Sequence, residues 1–187
     1  MATDPPAPSG SVSNRLIQAW HDLEIPAGLY VELLDGELVM QANPGSIHDL
    51  PGRAFVRQTP EPFAAWSERG IYLADDYQPR ADAVVVRAED TPLTMGDWPA
   101  DILLAVVETV STTRAAIKRD WEDKRLRYAD ARVPVYVIID PNDGSWHVLE
   151  LDGSRYVETS AGIFGQSLTM PEPMGFPIDT RGWHPYA

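Results

Sequence analysis

Two apolar runs with a helical stretch between them constrain the fold of this chain more than any other feature of its sequence. The runs are ILLAVV at residues 102–107 and VPVYVIID at residues 133–140, and residues 113–131 between them have a helical pattern. Continuous apolar runs of this length are typical of strands that are buried on both faces of a sheet. The sequence therefore predicts a mixed β-sheet flanked by helices, in the α/β or α+β class.

Two turn signals predict β-hairpins. Asp35-Gly36 lies between the β-rich runs YVELL and ELVMQ, and a two-residue turn at this pair sets Leu33 opposite Leu38. A second Asp-Gly pair, at residues 152–153, lies between WHVLEL and RYVETS and predicts a second hairpin.

The remaining stretches are assigned from their patterns. Residues 82–86, DAVVV, are predicted as a short strand, and an amphipathic helix is predicted to start at Ser13. Residues 43–70 are predicted as a loop and a helical stretch that two prolines interrupt.

The length of 187 residues fits one domain. Residues 1–12 carry three prolines among small residues and are predicted to be a disordered tail. Residues 13–168 are predicted to form the single domain. Residues 169–187, with four prolines, are predicted to be an irregular tail that lies against it.

Composition excludes several classes of protein. The chain has no cysteine, which removes disulfides, thiolate zinc sites and a cysteine nucleophile. No apolar run approaches the roughly 18 residues that a membrane helix needs, and the N-terminus has no apolar secretion signal. The sequence therefore predicts a cytoplasmic protein that does not cross a membrane.

The charge of the chain is strongly acidic but unevenly distributed. The net charge is −13, whereas seven of the fifteen basic residues lie between Arg114 and Arg132. A protein that bound DNA through its whole surface would need the opposite sign. The basic segment is therefore either a solvated helix face or a local contact for an anionic partner.

Two acidic residues lie at the ends of predicted apolar strands. Asp82 opens the AVVV strand, and Glu108 directly follows ILLAVV. A carboxylate beside a buried strand is costly unless it is paired or binds a metal ion. Helix caps or ion pairs could satisfy both residues. If the two strands are neighbours, however, both carboxylates could converge on one divalent cation.

A lysine lies within the apolar stripe of the predicted helix. Ile117, Trp121, Lys124 and Tyr128 fall within an arc of about 60° on a helix of 3.6 residues per turn. Lys124 must therefore either extend its ammonium past Trp121 to solvent or meet a carboxylate.

These residues resemble a known family. ETVS at residues 108–111, followed by RDWEDKRLRYADARVPVYVIIDP, resembles the signature of the Uma-two-type restriction endonuclease family of the PD-(D/E)XK nuclease superfamily. The segments YVELLDGELVM, NPGSIH and PRADAVVV match earlier parts of the same family in the same order. The resemblance covers residues 20–160 and implies a restriction-endonuclease-like fold.

The resemblance implies a metal-dependent nuclease that acts on DNA. Asp82 and Glu108 would hold Mg²⁺ or Mn²⁺, with the backbone carbonyl of Thr109 as a further ligand. Lys124, from a D-x-x-x-K helix segment, would be the third catalytic residue, since position 110 is a valine and the usual E-x-K is absent. Relatives of this kind are dimeric, and exposed hairpin edges permit pairing, so a homodimer is expected.

Further residues are weaker candidates. Glu32, within the first strand of the hairpin, matches an early glutamate near the metal, although an exposed hairpin face is the alternative. His48 matches a family histidine that would meet phosphate or water, although a surface histidine at a helix start is the alternative. Four basic residues are expected to contact the DNA backbone: Arg114, Lys118, Arg119 and Arg125.

Two other functions are open on the sequence alone. A non-catalytic, nuclease-like binding protein that retains the fold is favoured by the acidic charge. A glycosidase with two carboxylates offers no role for Lys124 and ranks last.

Overall fold

The structure is a computed structural model, and it describes residues 12–93 and 96–187. The predicted disordered tail lies outside the described residues except for Val12, with which the first helix begins.

The chain forms eleven strands and four α-helices within the described residues. The strands are β1 (Leu29–Leu34), β2 (Glu37–Ala42), β3 (Phe63–Tyr72), β4 (Arg80–Arg87), β5 (Trp98–Pro99), β6 (Leu103–Thr109), β7 (Val135–Asp140), β8 (Ser145–Asp152), β9 (Arg155–Ile163), β10 (Leu168–Thr169) and β11 (Pro177–Ile178). The helices are α1 (Val12–His21), α2 (Ser46–Gln58), α3 (Arg114–Lys118) and α4 (Lys124–Asp130), with a π-helical turn, Arg119–Asp123, between the last two. Short 3₁₀ turns cover Ala88–Asp90 and Ala100–Ile102.

A seven-stranded mixed sheet of order β5-β3-β4-β6-β7-β8-β9 forms the body of the protein. The predicted apolar runs are its adjacent strands β6 and β7, which are parallel and place Ala105 opposite Val135. Parallel neighbours need a crossover connection, and the segment from α3 to α4 supplies it. The predicted mixed sheet with flanking helices is confirmed.

Alternate side chains of the central strands face two separate parts of the core. On one face Val85, Val107 and Val137 pack with α2. On the other face the side chains pack with α4, which contributes Tyr128 and Ala129. Burial on both faces explains why the sequences of β6 and β7 are continuous apolar runs.

The predicted hairpins are confirmed. β1 and β2 pair with Leu33 opposite Leu38, and β8 and β9 form the second hairpin. Asp35 and Gly36 both have positive φ angles, 51° and 75°, as the two-residue turn of this type requires. β1 and β2 form a sheet of their own beside the large one.

The predicted helical stretch within residues 43–70 is only partly correct. α2 occupies Ser46–Gln58, but Phe63–Tyr72 is the strand β3. Its AAWSER segment consists largely of residues that are acceptable in helices. Pairing with β4 along most of its length overrides that local preference, because strand formation depends on neighbouring strands.

The segment over residues 169–187 packs against the body of the protein. It forms β11, and five of its large side chains are buried. Four of them join the α2 side of the core directly from an otherwise irregular chain: Met170, Met174, Phe176 and Trp183. The fifth, Ile178, belongs to β11 and lies in the same part of the core.

No described helix is long and apolar enough to cross a membrane. The cytoplasmic location and the homodimer stay predictions of the sequence.

Candidate active site

Asp82 and Glu108 lie side by side at the ends of neighbouring strands. β4 and β6 are antiparallel with Ala83 opposite Val107, and one further step of this register places Asp82 opposite Glu108. The Thr109 N–H donates a hydrogen bond of 2.6 Å to Asp82 Oδ2. The strand pairing thus joins two acids that are distant along the chain.

Lys124 points into the protein and is surrounded by carboxylates. Its ammonium Nζ lies 3.0 Å from Glu108 Oε1, 3.5 Å from Glu32 Oε1 and 3.8 Å from Asp120 Oδ1. Lys124 is 4% exposed, Glu108 3% and Glu32 1%. Of the two orientations open to this lysine, the structure has the one in which it meets carboxylates.

A π-helical turn positions Lys124 and Asp120. The Lys124 N–H bonds to the carbonyl of Arg119, five residues back, instead of the carbonyl four residues back. The Asp120 carbonyl accepts a hydrogen bond of 2.7 Å from the buried Tyr136 hydroxyl. Single π-turns inside α-helices occur frequently at functional sites, and this one carries two residues of the cluster.

Glu32 reaches the same cluster from β1. The backbone N–H of Arg80 donates 2.8 Å to Glu32 Oε1, and the Gln41 amide donates to Oε2. Arg119 in turn donates 2.7 Å to Gln41. Glu32 therefore faces the interior, whereas Glu37, on the same hairpin, is exposed.

Glu108 is held by one of its two carboxylate oxygens. Tyr128, which the sequence places in the core, donates a hydrogen bond of 2.6 Å to Glu108 Oε1. This is also the oxygen nearest to Lys124. Among the described residues no hydrogen bond reaches Oε2, so this oxygen remains for a ligand.

His48 contacts Asp82 from α2. Its Nε2 lies 3.2 Å from Asp82 Oδ2, and its Nδ1 lies 2.9 Å from the Tyr186 hydroxyl. The helix approaches β4 closely at Gly52, where a Cβ atom would lie 2.9 Å from the Asp82 carbonyl oxygen. A glycine at this position allows α2 to bring His48 to Asp82.

Asp82 is the ionised carboxylate of the site. Burial would raise its pKa, but the charge and hydrogen bond of His48 outweigh this effect and lower the pKa below its usual range. Burial would also lower the pKa of His48, and Asp82 reverses that shift and raises it. With 21% of its side chain exposed, Asp82 is the acid that an entering ligand reaches first.

The cluster behind Asp82 holds more negative than positive charge. Burial raises the pKa of Glu108 to about 8, although Lys124 acts to lower it. Burial likewise raises the pKa of Asp120 to about 6, against Lys124 and Arg119. Burial alone would lower the pKa of Lys124, but Glu108 and its other acidic neighbours raise it well above its usual value. Because negative charge is in excess, these carboxylates favour the binding of either protons or an added cation.

The residues present fit a hard divalent cation. Asp82 and Glu108 offer carboxylate oxygens, the buried Thr109 hydroxyl has no hydrogen-bond partner among the described residues, and the acids have an excess of negative charge. Across the described chain, no group of three or more acidic or histidine side chains is arranged to hold a metal. An ion here would need the two carboxylates together with backbone oxygen and water, which is common for Mg²⁺.

The four residues predicted to contact phosphate all lie on the segment from α3 to α4. Arg119 lines a cleft beside His48, and Arg114 is exposed at the start of α3. Lys118 pairs with an aspartate of the π-turn, while Arg125 donates to a backbone carbonyl of β9.

Sequence reasoning missed three contributors to this arrangement. Asp120 lies four residues before Lys124, and this spacing on one helix was the available signal. Tyr128 was visible only as an apolar residue of the stripe. Tyr186, more than a hundred residues from His48, had no signal in the sequence.

The fold is similar to that of a protein of known structure. The chain resembles a solved structure described as a "putative nuclease belonging to DUF820 from Anabaena variabilis ATCC 29413". The TM-score is 0.59 and the identity 14%, over 83% of this chain and 88% of that chain. At this identity the similarity concerns the fold alone.

The family follows from the sequence. The model of the Uma2 family, described as "Putative restriction endonuclease", matches residues 17–181. The chain belongs to this family, which confirms the resemblance found in its motifs. No curated protein matches the sequence.

Proposed function

We propose that this protein is a Mg²⁺- or Mn²⁺-dependent DNA endonuclease that hydrolyses phosphodiester bonds with Asp82, Glu108 and Lys124. The observation that carries the proposal is the buried contact of 3.0 Å between Lys124 and Glu108, on the strand that pairs with the strand of Asp82. The family's description as a restriction endonuclease and the similar fold of a protein described as a nuclease support this reaction class. DNA is the substrate that the class implies.

The chain offers a defined set of ligands for the ion. Asp82 and Glu108 would hold the cation through carboxylate oxygens, and the Thr109 carbonyl would complete the protein's share. A bound ion would polarise the scissile phosphate and ease the loss of a proton from water.

Lys124 would stabilise negative charge at the reacting phosphate or orient the attacking water. A fixed ammonium in a buried site acts more strongly than one in water, and Glu32 and Asp120 keep this ammonium in place and charged. His48 would hold Asp82 until the substrate arrives and would then be within reach of a phosphate oxygen. These assignments give Glu32 and His48 supporting roles.

A second candidate function is a non-catalytic nuclease-like binding protein. The observation that favours it is the net charge of −13, which opposes association with a polyanion. The two candidates differ in what they require of Asp82, because only the nuclease needs its carboxylate charge.

Cleavage of DNA by the purified chain, with Mg²⁺, Mn²⁺ or EDTA, tests the proposal. We expect metal-dependent cleavage that falls by more than about a hundredfold in Asp82→Asn, because interactions with a catalytic metal contribute several kcal/mol. Calorimetric titration should detect ion binding that the same substitution abolishes. Asp101→Asn, at an exposed aspartate, is the matched control and should behave as the unmodified chain. A chain that neither cleaves DNA nor binds these ions would contradict the nuclease and favour the binding protein.

A further inference from the structure

Three cavities near Asp82 share lining residues. A cavity of about 300 Å³ has Glu68 and Asp82 in its wall, and a narrow gap shares both of these residues. The gap also shares Tyr30 and Pro44 with a cleft of about 730 Å³. The shared residues place the three spaces next to one another, with Asp82 in the walls of the two smaller ones.

The large cleft, which we call the β2–α3 cleft, lies between β2, α3 and the start of α2. Its lining includes Val39, Met40 and Ile47 on the apolar side and the rings of Tyr30 and Tyr186. His48, which bonds to Asp82, also forms part of its wall. The volume is within the range of roughly 300–1,000 Å³ that small-molecule sites occupy.

The polar side of the β2–α3 cleft offers hydrogen-bonding groups. Ser111, Thr112 and Thr113 line it together with Arg119, whose guanidinium is held by Gln41. Apolar and aromatic surface opposite hydroxyls and one guanidinium is the combination that receives a nucleobase and its sugar.

The rings that line the cleft are held in place by other contacts. The Tyr186 hydroxyl bonds to His48 and to the Val110 carbonyl. The guanidinium of Arg80 stacks over the Tyr30 ring at 4.7 Å. Rings fixed in this way lose little conformational entropy when a base binds.

The acidic charge near Asp82 disfavours the binding of a DNA duplex through the phosphates of the duplex. The smaller cavity contains Asp49 and Glu68, with Arg53 as its basic residue, and Arg53 is paired with Asp49. Binding through the backbone alone needs many free cations. A base buried in the cleft gains free energy from stacking and apolar contact, which the acidic field does not oppose.

We propose that the β2–α3 cleft binds the unpaired nucleotide next to the scissile phosphate, so that the substrate is single-stranded DNA or a single-stranded segment of a duplex. This inference rests on the proposed nuclease function and adds its substrate class. A base that enters the cleft beside His48 has left the stack of its helix, because a paired base cannot occupy a recess in the protein surface.

The first test measures binding without metal. Fluorescence anisotropy in EDTA compares a labelled oligothymidylate with a blunt hairpin duplex of equal length. We expect the single strand to bind at least about tenfold more tightly, in keeping with stacking contributions of about 1–3 kcal/mol per base. Its affinity should depend only weakly on salt, because few phosphates are neutralised.

Two variants fill or alter the cleft without changing the core. Ala115→Trp adds a ring at an exposed position of the cleft wall, and Met40→Glu places a charge at a half-exposed one. Each should weaken single-strand binding at least about tenfold. Ala161→Trp, at an exposed alanine of β9, is the matched control and should leave binding unchanged. Melting curves confirm that each variant is folded.

The outcomes separate this inference from the nuclease itself. Equal affinity for duplex and single strand, with no effect of either cleft variant, overturns the cleft assignment even if DNA is cleaved. If the cleft variants weaken single-strand binding, the assignment is supported even when the unmodified chain shows no DNA cleavage that Asp82→Asn could abolish.

Discussion

Lys124 is the cation that three buried carboxylates share. Breaking a buried ion pair by removing one partner costs about 3–5 kcal/mol, because it leaves an uncompensated charge. We therefore expect Lys124→Met to lower the free energy of unfolding by about 3 kcal/mol, measured by urea denaturation.

The second lysine of the chain provides the control for this prediction. Lys118 is exposed and pairs with Asp123 at the surface, where solvent screens the interaction. Lys118→Met should leave the urea midpoint nearly unchanged. Equal effects of the two substitutions would contradict a buried charge cluster around Lys124.

The raised pKa values of Glu108 and Asp120 predict how stability depends on pH. The folded state keeps protons on these acids up to pH values of about 8 and about 6, whereas unfolded carboxyls release them near 4.5 and 3.8. Between these limits the folded state binds more protons, so the free energy of unfolding falls as pH rises. Asp82, with its lowered pKa, acts oppositely and loses its contribution only in acid.

Denaturation at a series of pH values measures this effect. Glu108→Gln should flatten the dependence between about pH 6 and pH 8, where the shift of Glu108 dominates. Glu122→Gln, at an exposed glutamate of the π-turn, should retain it. If the free energy of unfolding of the wild-type chain does not decline in this range, Glu108 is not a buried acid with a raised pKa.

The π-turn between α3 and α4 is the element that organises the site. In this turn the Asp120 carbonyl accepts a hydrogen bond from the Tyr136 hydroxyl. The turn also brings Asp120 and Lys124 to the same place. Its structure therefore depends on a residue of β7 rather than on the helix alone.

Tyr136→Phe tests this dependence. Loss of the hydroxyl leaves a buried carbonyl without its donor and should cost about 1–3 kcal/mol of unfolding free energy. It should also weaken ion binding, because the turn that carries Lys124 relaxes. Tyr156→Phe removes a similar hydrogen bond of 2.7 Å, to the Val133 carbonyl.

Stability should thus fall in both tyrosine variants, whereas ion binding should change only in Tyr136→Phe. Calorimetric titration of both variants makes the comparison. Normal ion affinity in Tyr136→Phe would mean that the π-turn holds its geometry without this bond.

At the scale of the whole molecule, the C-terminal segment is part of the core. Phe176 is buried and packs against Phe63 of β3, with ring centroids 6.0 Å apart. Truncating a buried phenylalanine to alanine costs about 3–5 kcal/mol, so Phe176→Ala should markedly lower the urea midpoint. Leu126→Ala, at an exposed leucine of α4, should change it little.

Removal of residues 169–187 extends this prediction. Each large buried side chain contributes about 1.5–3 kcal/mol, and whole domains are stable by only about 5–15 kcal/mol. The shortened chain should therefore lose its cooperative unfolding transition. A soluble, cooperatively folding truncation would contradict a structural role for this segment.

Local patterns in the sequence determined much of the architecture. The apolar runs of β6 and β7 predicted strands that are buried on both faces, and Asp35-Gly36 predicted the hairpin register down to the pairing of Leu33 with Leu38. The helical stripe predicted that Lys124 lies among apolar residues, and it left two orientations open for its ammonium. These features depend on periodicity and turn chemistry, which act between residues close along the chain.

Contacts between distant residues decided the rest. β3 became a strand because β4 pairs with it, and Glu32 turned inward because Lys124 and Arg80 meet it there. Tyr186 contacts His48 because the C-terminal segment packs into the core. The sequence alone named Asp82, Glu108 and Lys124. Only tertiary structure set the charge around them, because burial and the number of neighbouring acids depend on how every element packs.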